Sequence, residues 1–425
     1  MGLYNSFYAS LSGLSANANA LSVIGNNLSN LNTIGYKGSS ASFQDLFSAS
    51  LGASNTQGNG NPIQIGLGTQ LGAINQNFGQ GSFQSSSNVT DMALQGPGFF
   101  TLKTKDGGAA YSRAGNFTID KNGFMVDPSG NSVMGWNRGS NGKVSTSGLT
   151  TPIKLDMAIT SPPSPTVNLT TVTNLDAAAA PTDVYSTPVL VYDSLGQSHS
   201  VVFKYTKTVN PGEWTLGVTT DGGSTVSGFP PLIQFDGSGK LTLPASGSTP
   251  VLTFSAWNNG ATSPATNWNI FHSSTDPNTN ITTTVADLSG FSSASSTATS
   301  TQDGFGSGTV RSMIVDQSGT IIGTFTNGQT IPMAQVAIST FANTSGLAKQ
   351  GNNTWGTTLS SGLASVGAAN EAGRASVLGG NLELSNVDVA EEFTRLIINQ
   401  RGYQANSRVV TTADSLLQET LNLIR

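Results

Sequence analysis

Asp-x-x-Gly tetrapeptides recur along the chain, among them five next to apolar runs: DKNG at Asp120, DPSG at Asp127, DSLG at Asp193, DGSG at Asp236 and DQSG at Asp316. Carboxylates beside glycine turns are the raw material of calcium loops. Such a loop also needs oxygen ligands at alternating positions and a closing Glu, and none of the five has that set. Each is flanked by β-branched or aromatic runs, as in FTID-KNG-FMVD, which predicts hairpin turns. GLGTQLG, from Gly66 to Gly72, lacks the βαβ frame and acidic ribose partner of a dinucleotide fingerprint. GSNGKVS around Lys143 has the wrong glycine spacing for a phosphate loop.

Other chemistry is scarcer still. His199 and His272 are the whole stock of histidine, and cysteine is absent. His199 lies in the alternating run GQSHSVVFKY, which reads as a strand. His272 has no Asp, Glu or second His beside it in sequence to make a metal set. Without cysteine there are no disulfides, thiolate zinc sites or thiol nucleophiles. The N-x-[ST] matches, Asn116 and Asn280 among them, are what a Thr-rich chain produces by chance. No catalytic residue, metal site or cofactor is expected, and the chain does not read as an enzyme.

The composition points elsewhere. The chain has 425 residues, room for two to four domains. Charged residues are 10% of it, against about 25% in ordinary globular domains. Glycine, at 50 copies, and Ser, Thr and Asn fill the deficit. The net charge of -5 comes with no basic patch to neutralise phosphates, so nucleic acid is not an expected partner. No apolar run reaches the length of about 18 residues that membrane insertion needs. MGLYNSFYAS has no basic n-region, apolar h-region or cleavage site, so it is no secretory signal. It also matches M-G-x-x-x-[ST], too short a pattern to argue for myristoylation. If the protein leaves the cytoplasm, another export machine must take it.

The elements come next. Phe7, Leu11, Leu14, Ala18, Leu21, Ile24, Leu28 and Leu31 alternate in steps of three and four, a helical stripe. This segment carries no charge, because Lys37 is the first charged side chain. Val389, Leu396, Tyr403, Val410, Leu417 and Ile424 are seven apart, with Phe393 and Leu421 at the alternate heptad position. This predicts one helix from Asn386 to about Ile424. SNVD, Ser385 to Asp388, fits a capping box, and Glu391 and Arg395 an i,i+4 pair. Two such stripes can pair, and the apolar remainder is best buried against copies of the same chain. Asn, Ser and Gly weaken isolated helices, so both ends are expected to be disordered in the monomer and to fold on assembly.

Between the ends the pattern is β. Two low-complexity stretches, SPPSPTVNLTTVTNLDAAAAPTD (161–183) and SGFSSASSTATSTQDGFGSG (289–308), read as linkers or loose edge loops. Two linkers around one β block imply a domain inserted in another. The expected fold is α+β and multidomain, with long N- and C-terminal helices pairing as a coiled-coil-like inner domain around nested, mainly-β domains. The boundaries are 1–30 and 383–425 for the helical domain and 31–75 for an irregular bridging arm. They are 76–150 and 305–382 for a middle β domain, and 151–304 for an inserted outer β domain.

The residues themselves resemble a known group. LSGLSANANALSVIGNNLSNLNTIGYKGSSASF (11–43) is similar to the shared N-terminal motif of bacterial flagellar rod and hook subunits. It includes Asn26, Asn27 and the helix exit Asn32, Gly35, Tyr36 and Lys37. ALQGPGFFTLK (93–103) and YSRAGNFTIDKNGFMVDPSGNSVMGW (111–136) resemble their β-domain motifs. LELSNVDVAEEFTRLIINQRGYQANSRVVTTADSLLQETLNL (382–423) resembles their C-terminal helix. TPVLVYDSLGQSHSVVFKYTK (187–207) and VDQSGTIIGTFTNGQTIPMAQVAISTFAN (315–343) favour the hook branch, since rod subunits lack the insertion. The cysteine that some hook subunits use for crosslinking is missing.

The resemblance implies a subunit of the extracellular hook at the basal body, a flexible tubular joint passing motor torque to the filament. Its helices line the export channel and its arm bridges neighbours. Its implied partners are itself, the distal rod, the hook cap, the hook-filament junction proteins and the flagellar type III export apparatus, which takes subunits without cleaving a signal. The competing readings are a distal rod or junction subunit, and a secreted β-rich adhesin with Trp214, Trp257 and Trp268 exposed.

Overall fold

The computed structural model describes residues 2–50, 64–140, 142–155, 159–221, 224–255, 257–262, 265–275 and 282–423. Two helices bracket a β-rich chain: α1 is Gly2–Ser29 and α2 is Val389–Leu423. The chain divides into two compact units. The first comprises Met1–Met157, Ser312–Gly323 and Ile331–Arg425; the second, Ala158–Arg311 and Thr324–Thr330.

In the first unit, strand Thr330–Thr340 pairs with Ser132–Asn137 and Phe99–Lys103, and the order continues through Ala109–Ser112, Thr354–Gly356 and Ala348–Gly351. Phe99, Tyr111, Leu347 and Trp355 form one core cluster. Two short antiparallel pairs, Met92–Gln95 with Ser376–Gly379 and Phe83–Ser85 with Asn381–Glu383, carry the chain towards α2.

The second unit packs two sheets on one core. Phe203, Tyr205 and Trp214 come from the sheet built on Ser198–Lys207; Leu169, Leu252 and Trp268 come from the sheet built on Asn168–Asn174. Trp214, Trp257 and Trp268 are all buried in that core. The adhesin reading required them exposed.

The five Asp-x-x-Gly segments named above close hairpins by one device. The Asp Oδ1 accepts from the N–H groups two and four residues on, as Asp127 does from Ser129 at 2.9 Å and Asn131 at 2.7 Å. Asp120, Asp193, Asp236 and Asp316 repeat the pattern. The glycine between the two donors takes positive φ, +80° at Gly130, a conformation that costs glycine little.

Three expectations are corrected. The supposed linkers are strands that pair with each other, Leu169 opposite Gln302 and Asn174 opposite Ser296. Thr171 and Thr173 are buried there, with Thr171 Oγ1 accepting from Trp268 Nε1 at 3.0 Å and Thr173 Oγ1 3.1 Å from Thr297 Oγ1. Threonine is β-branched and fits a strand, but its hydroxyl hides the apolar alternation. The irregular arm is a β-ribbon, Ser39–Asp45 antiparallel to Thr69–Gln76 and Ser48–Ser50 to Gln64–Gly66. Its first strand has no buried residue, so no period of two marked it. Finally, α2 begins at Val389 rather than Asn386. The cap is Asp388, whose Oδ1 accepts from Ala390 N at 2.8 Å and Glu391 N at 3.1 Å. Asn386 is held outside the helix, donating to Asn77 O at 2.8 Å and accepting from Gly38 N at 2.9 Å.

Candidate assembly site: the helix pair and its junction

The two helices run antiparallel. Asn27 Nδ2 donates to Glu392 Oε1 at 3.2 Å; further along, Gly402 faces Asn17, and Gly13 faces Asn406. The buried face of α1 is Ser10, Gly13, Ala16, Ala20, Ile24 and Asn27. That seam is made of small residues, which let helix axes come close. Of the stripe read from sequence only Ile24 lies on it. Phe7, Leu14, Leu21 and Leu28 are half-buried beside it, Leu31 is half-buried past the helix end, and Leu11 is exposed.

On α2 the covered side runs through Glu392, Leu396, Asn399, Asn406, Val410, Ala413 and Leu417. The heptad positions Leu396, Val410 and Leu417 are on it. The second seam position falls three residues on, at Asn399, Asn406 and Ala413, rather than four residues on. Phe393 is therefore exposed while its neighbour Glu392 is buried. Val389 and Tyr403 are also counted among exposed apolar residues. Of Leu421 only the backbone is described, and Ile424 lies outside the described residues. The Glu391–Arg395 pair forms, at 2.6 Å, between exposed side chains, where such pairs contribute little.

The segment after α1 forms a buried polar junction. Asn27 Nδ2 donates to Ser39 O at 2.7 Å, and its Oδ1 accepts from Ser39 N at 3.0 Å and Tyr36 Oη at 3.2 Å. Tyr36 Oη also donates to Asn26 Oδ1 at 2.8 Å. Gly35 takes φ +67°, and a Cβ there would stand 2.5 Å from Ala114 N, so the chain can approach the β unit only as glycine. Asn32 is exposed, at the rim of an open polar cavity of about 480 Å³ lined also by Asn30, Asp127 and Asn353.

Lys37 is the centre. Its side chain is wholly buried, with Nζ 2.6 Å from Glu383 Oε1 and 2.7 Å from Gly79 O. Glu383 Oε1 also accepts from Gly81 N at 2.9 Å, and Oε2 lies 3.5 Å from Arg113 Nη1. Arg113 Nη2 donates to Gly96 O at 2.7 Å. One carboxylate thus serves two buried cations. Burial pulls the Lys37 ammonium below its ordinary value, against the opposing pull of Glu383. Burial likewise lowers the Arg113 guanidinium, and Glu383 opposes it. Burial raises the Tyr36 phenol, and the charge of Glu392 adds to this.

Glu383 and Arg113 escaped the sequence reading. Their signal was a lone charge inside an apolar alternation, as in LEL at 382–384, within a chain that uses few charges.

The histidines find partners that sequence spacing hid. His199 Nε2 is 3.1 Å from Asp193 Oδ2, with its ring stacked 3.7 Å from Trp257, and His272 Nδ1 is 2.6 Å from Asp287 Oδ1. Among the described residues no three His, Asp or Glu side chains group to hold a metal ion. No helix among them is long and apolar enough to cross a membrane.

The two terminal helices form one pair, tied by a buried ion cluster to a β unit, and the pair leaves apolar side chains of α2 exposed. Four families match in series. Residues 7–37 match "Flagella basal body rod protein", and 93–173 match "Flagellar hook protein FlgE/F/G D1 domain". Residues 154–305 match "Flagellar basal body protein FlaE D2 domain", and 378–423 match "Flagellar basal body rod FlgEFG protein C-terminal". The chain is 33% identical to the flagellar hook protein FlgE of Borreliella burgdorferi, over 99% of this chain and 100% of the relative. It is 32% identical to that of Treponema pallidum, over 100% of both. The Helicobacter pylori hook protein FlgE2 structure aligns with a TM-score of 0.49 at 15% identity, covering 71% of this chain and 100% of that one. The chain belongs to the flagellar hook protein family and is a structural subunit of the bacterial flagellar hook.

Proposed function

We propose that copies of the chain polymerise through the helix faces left open by the α1–α2 pairing. The observation that carries this is the outer side of α2, where Phe393, Ile397, Ile398 and Leu416 are 48%, 55%, 64% and 51% exposed. Tyr8 and Leu11 add to it from α1. Burial of apolar surface is favourable by about 25 cal/mol per Å², and a second copy supplies a matching face. The stripe residues Phe7, Leu14, Leu21, Leu28 and Val389 would join this contact, with the β-ribbon after Lys37 bridging to a neighbour.

The helical pair, the ribbon and the two β units would together build the wall of a tube. The second unit, rich in Ser, Thr and Asn, suits sliding contacts, because its hydrogen bonds exchange with water at little net cost. A charged surface would fix register and depend on salt. A tube held by its helices, with sliding contacts between its β units, bends while it turns. Delivery through the flagellar type III apparatus belongs to the same reading. The distal rod, hook cap and junction proteins are the neighbours this role requires.

Electron microscopy of the purified chain at raised concentration tests the proposal. Curved tubes are the expected outcome. Straight tubes would instead favour a rod subunit, and a chain that stays monomeric would overturn polymerisation.

A further inference from the structure

Two leucines stand clear of the first unit on one short loop. Leu359 and Leu363 are 105% and 92% exposed, between strands Thr354–Gly356 and Ser365–Ala368. The loop is braced. Between the leucines, Ser361 is fully buried; its hydroxyl donates to Thr358 O at 2.9 Å and accepts from Thr358 N at 2.9 Å. Thr358 Oγ1 donates to Gly346 O at 2.6 Å, and Asn343 Nδ2 donates to Ser360 O at 3.1 Å. Gly346 lies so close beneath that a Cβ would stand 2.6 Å from the Ser360 carbonyl carbon. A loop held in shape while presenting two leucines to water is a preformed anchor, because its ordering cost is already met in the free chain.

A complementary feature lies elsewhere on the first unit. Beside Met313–Val315, a groove of about 280 Å³ is lined by Ser86, Val89, Met313, Ile314, Val315 and Gly379. Val89 and Ile314 are exposed there.

We infer that the Leu359–Leu363 loop of one copy seats in the Val89–Ile314 groove of the next. This rests on the homopolymer reading above and names a contact within it. The occupant is a second copy for two reasons. Anchor and groove are different patches of one chain, so a contact between copies is heterologous and extends an array rather than closing as a dimer. Neither loop residues 357–364 nor the residues lining the groove include a charged side chain, so identical, net acidic copies meet there without like charges opposed.

The absence of cysteine makes the test clean. Leu359→Cys combined with Ile314→Cys, assembled into tubes and treated with a short bismaleimide, should give a ladder of covalent oligomers. Either substitution alone should give no ladder. Leu359→Ser with Leu363→Ser should leave the monomer's circular dichroism unchanged, since neither side chain packs in the free chain. It should raise the critical concentration for assembly by about tenfold or more. Tubes that form at the unchanged critical concentration would overturn the inference while leaving polymerisation standing. So would tubes of the doubly substituted L359C/I314C chain that give no ladder. A wild-type chain that forms no tubes would overturn polymerisation itself, and the contact with it.

Discussion

Gly13 of the first helix faces Asn406 of the second, where a Cβ on Gly13 would stand 2.7 Å from Asn406 Nδ2. The relation is reciprocated by Gly402, whose Cβ would stand 3.1 Å from Asn17 Oδ1. Each helix gives up a side chain where the other carries an asparagine. Asn17 Nδ2 meanwhile donates to Gly13 O within its own helix at 2.7 Å, so the amide is held against the seam.

Glycine substitutions in α1 should therefore differ in sign. A Cβ at Gly25 meets nothing within 4 Å, so Gly25→Ala should stabilise the helix by about 0.5–1 kcal/mol. Gly13→Leu should force the helices apart despite its better propensity. Helical circular dichroism of the assembled chain should rise with the first and fall with the second. A rise with both would show that the helices do not meet at Gly13.

The ion cluster predicts an asymmetry between its members. Removing Lys37 leaves Arg113 and Glu383 as a neutral pair, whereas removing Glu383 leaves two buried cations without an anion. Breaking a buried pair costs about 3–5 kcal/mol, and Glu383→Gln should cost more than Lys37→Met. Hydrogen exchange at the amides of Gly35 and Gly81, bonded to Glu383 O at 2.7 Å and Oε1 at 2.9 Å, reads the loss locally. Equal protection loss in both variants would refute the asymmetry.

Asn27 cannot be exchanged for its acid. Asn27→Asp would lose the donor to Ser39 O and set a carboxylate against Glu392, whose Oε1 is 3.2 Å from the present amide nitrogen. Like charges at that distance repel strongly where water is scarce. The expected outcome is a larger fall in urea midpoint for Asn27→Asp than for Asn27→Ala, with the excess shrinking as Glu392 is also changed to Gln.

Tyr205 should respond to pH. Its hydroxyl is buried with no hydrogen-bond partner among the described residues. Burial, with Tyr185 adding, pushes its phenol far above the ordinary value. A raised folded value means that its contribution is intact below a pH of about 10 and lost as pH rises further, because the unfolded phenol ionises first. Tyr205→Phe should stabilise the second unit by about 1 kcal/mol at neutral pH and flatten its alkaline unfolding. Tryptophan fluorescence is the readout, since Trp214, Trp257 and Trp268 share that core. An unchanged alkaline midpoint would remove Tyr205 as the cause.

What could be read in advance follows from range. The terminal helices and the five Asp-x-x-Gly hairpins depend on residues within a turn or two of each other, and both were visible as spacing. The pairing of Asn168–Asn174 with Ser296–Gln302 joins segments more than a hundred residues apart. Its buried threonines look polar in a string of letters and satisfy themselves only when Trp268 and Thr297 arrive. The seam of α1 is hard to read from spacing for a related reason. Leucines mark what needs covering, but Gly13, Ala16 and Ala20 mark where another backbone can come close.

By itself, then, the sequence determined the scarcity of charge, the absence of cysteine, and two long helices at the ends of a β chain. These are local or compositional properties, and no folding is needed to count them. Only the tertiary structure decided which helix faces meet, and that Lys37, Arg113 and Glu383 share one buried site. Those depend on desolvation and close approach among residues far apart in the chain. A lysine that looks like a helix exit in sequence becomes a structural tie once Glu383 stands 2.6 Å from it.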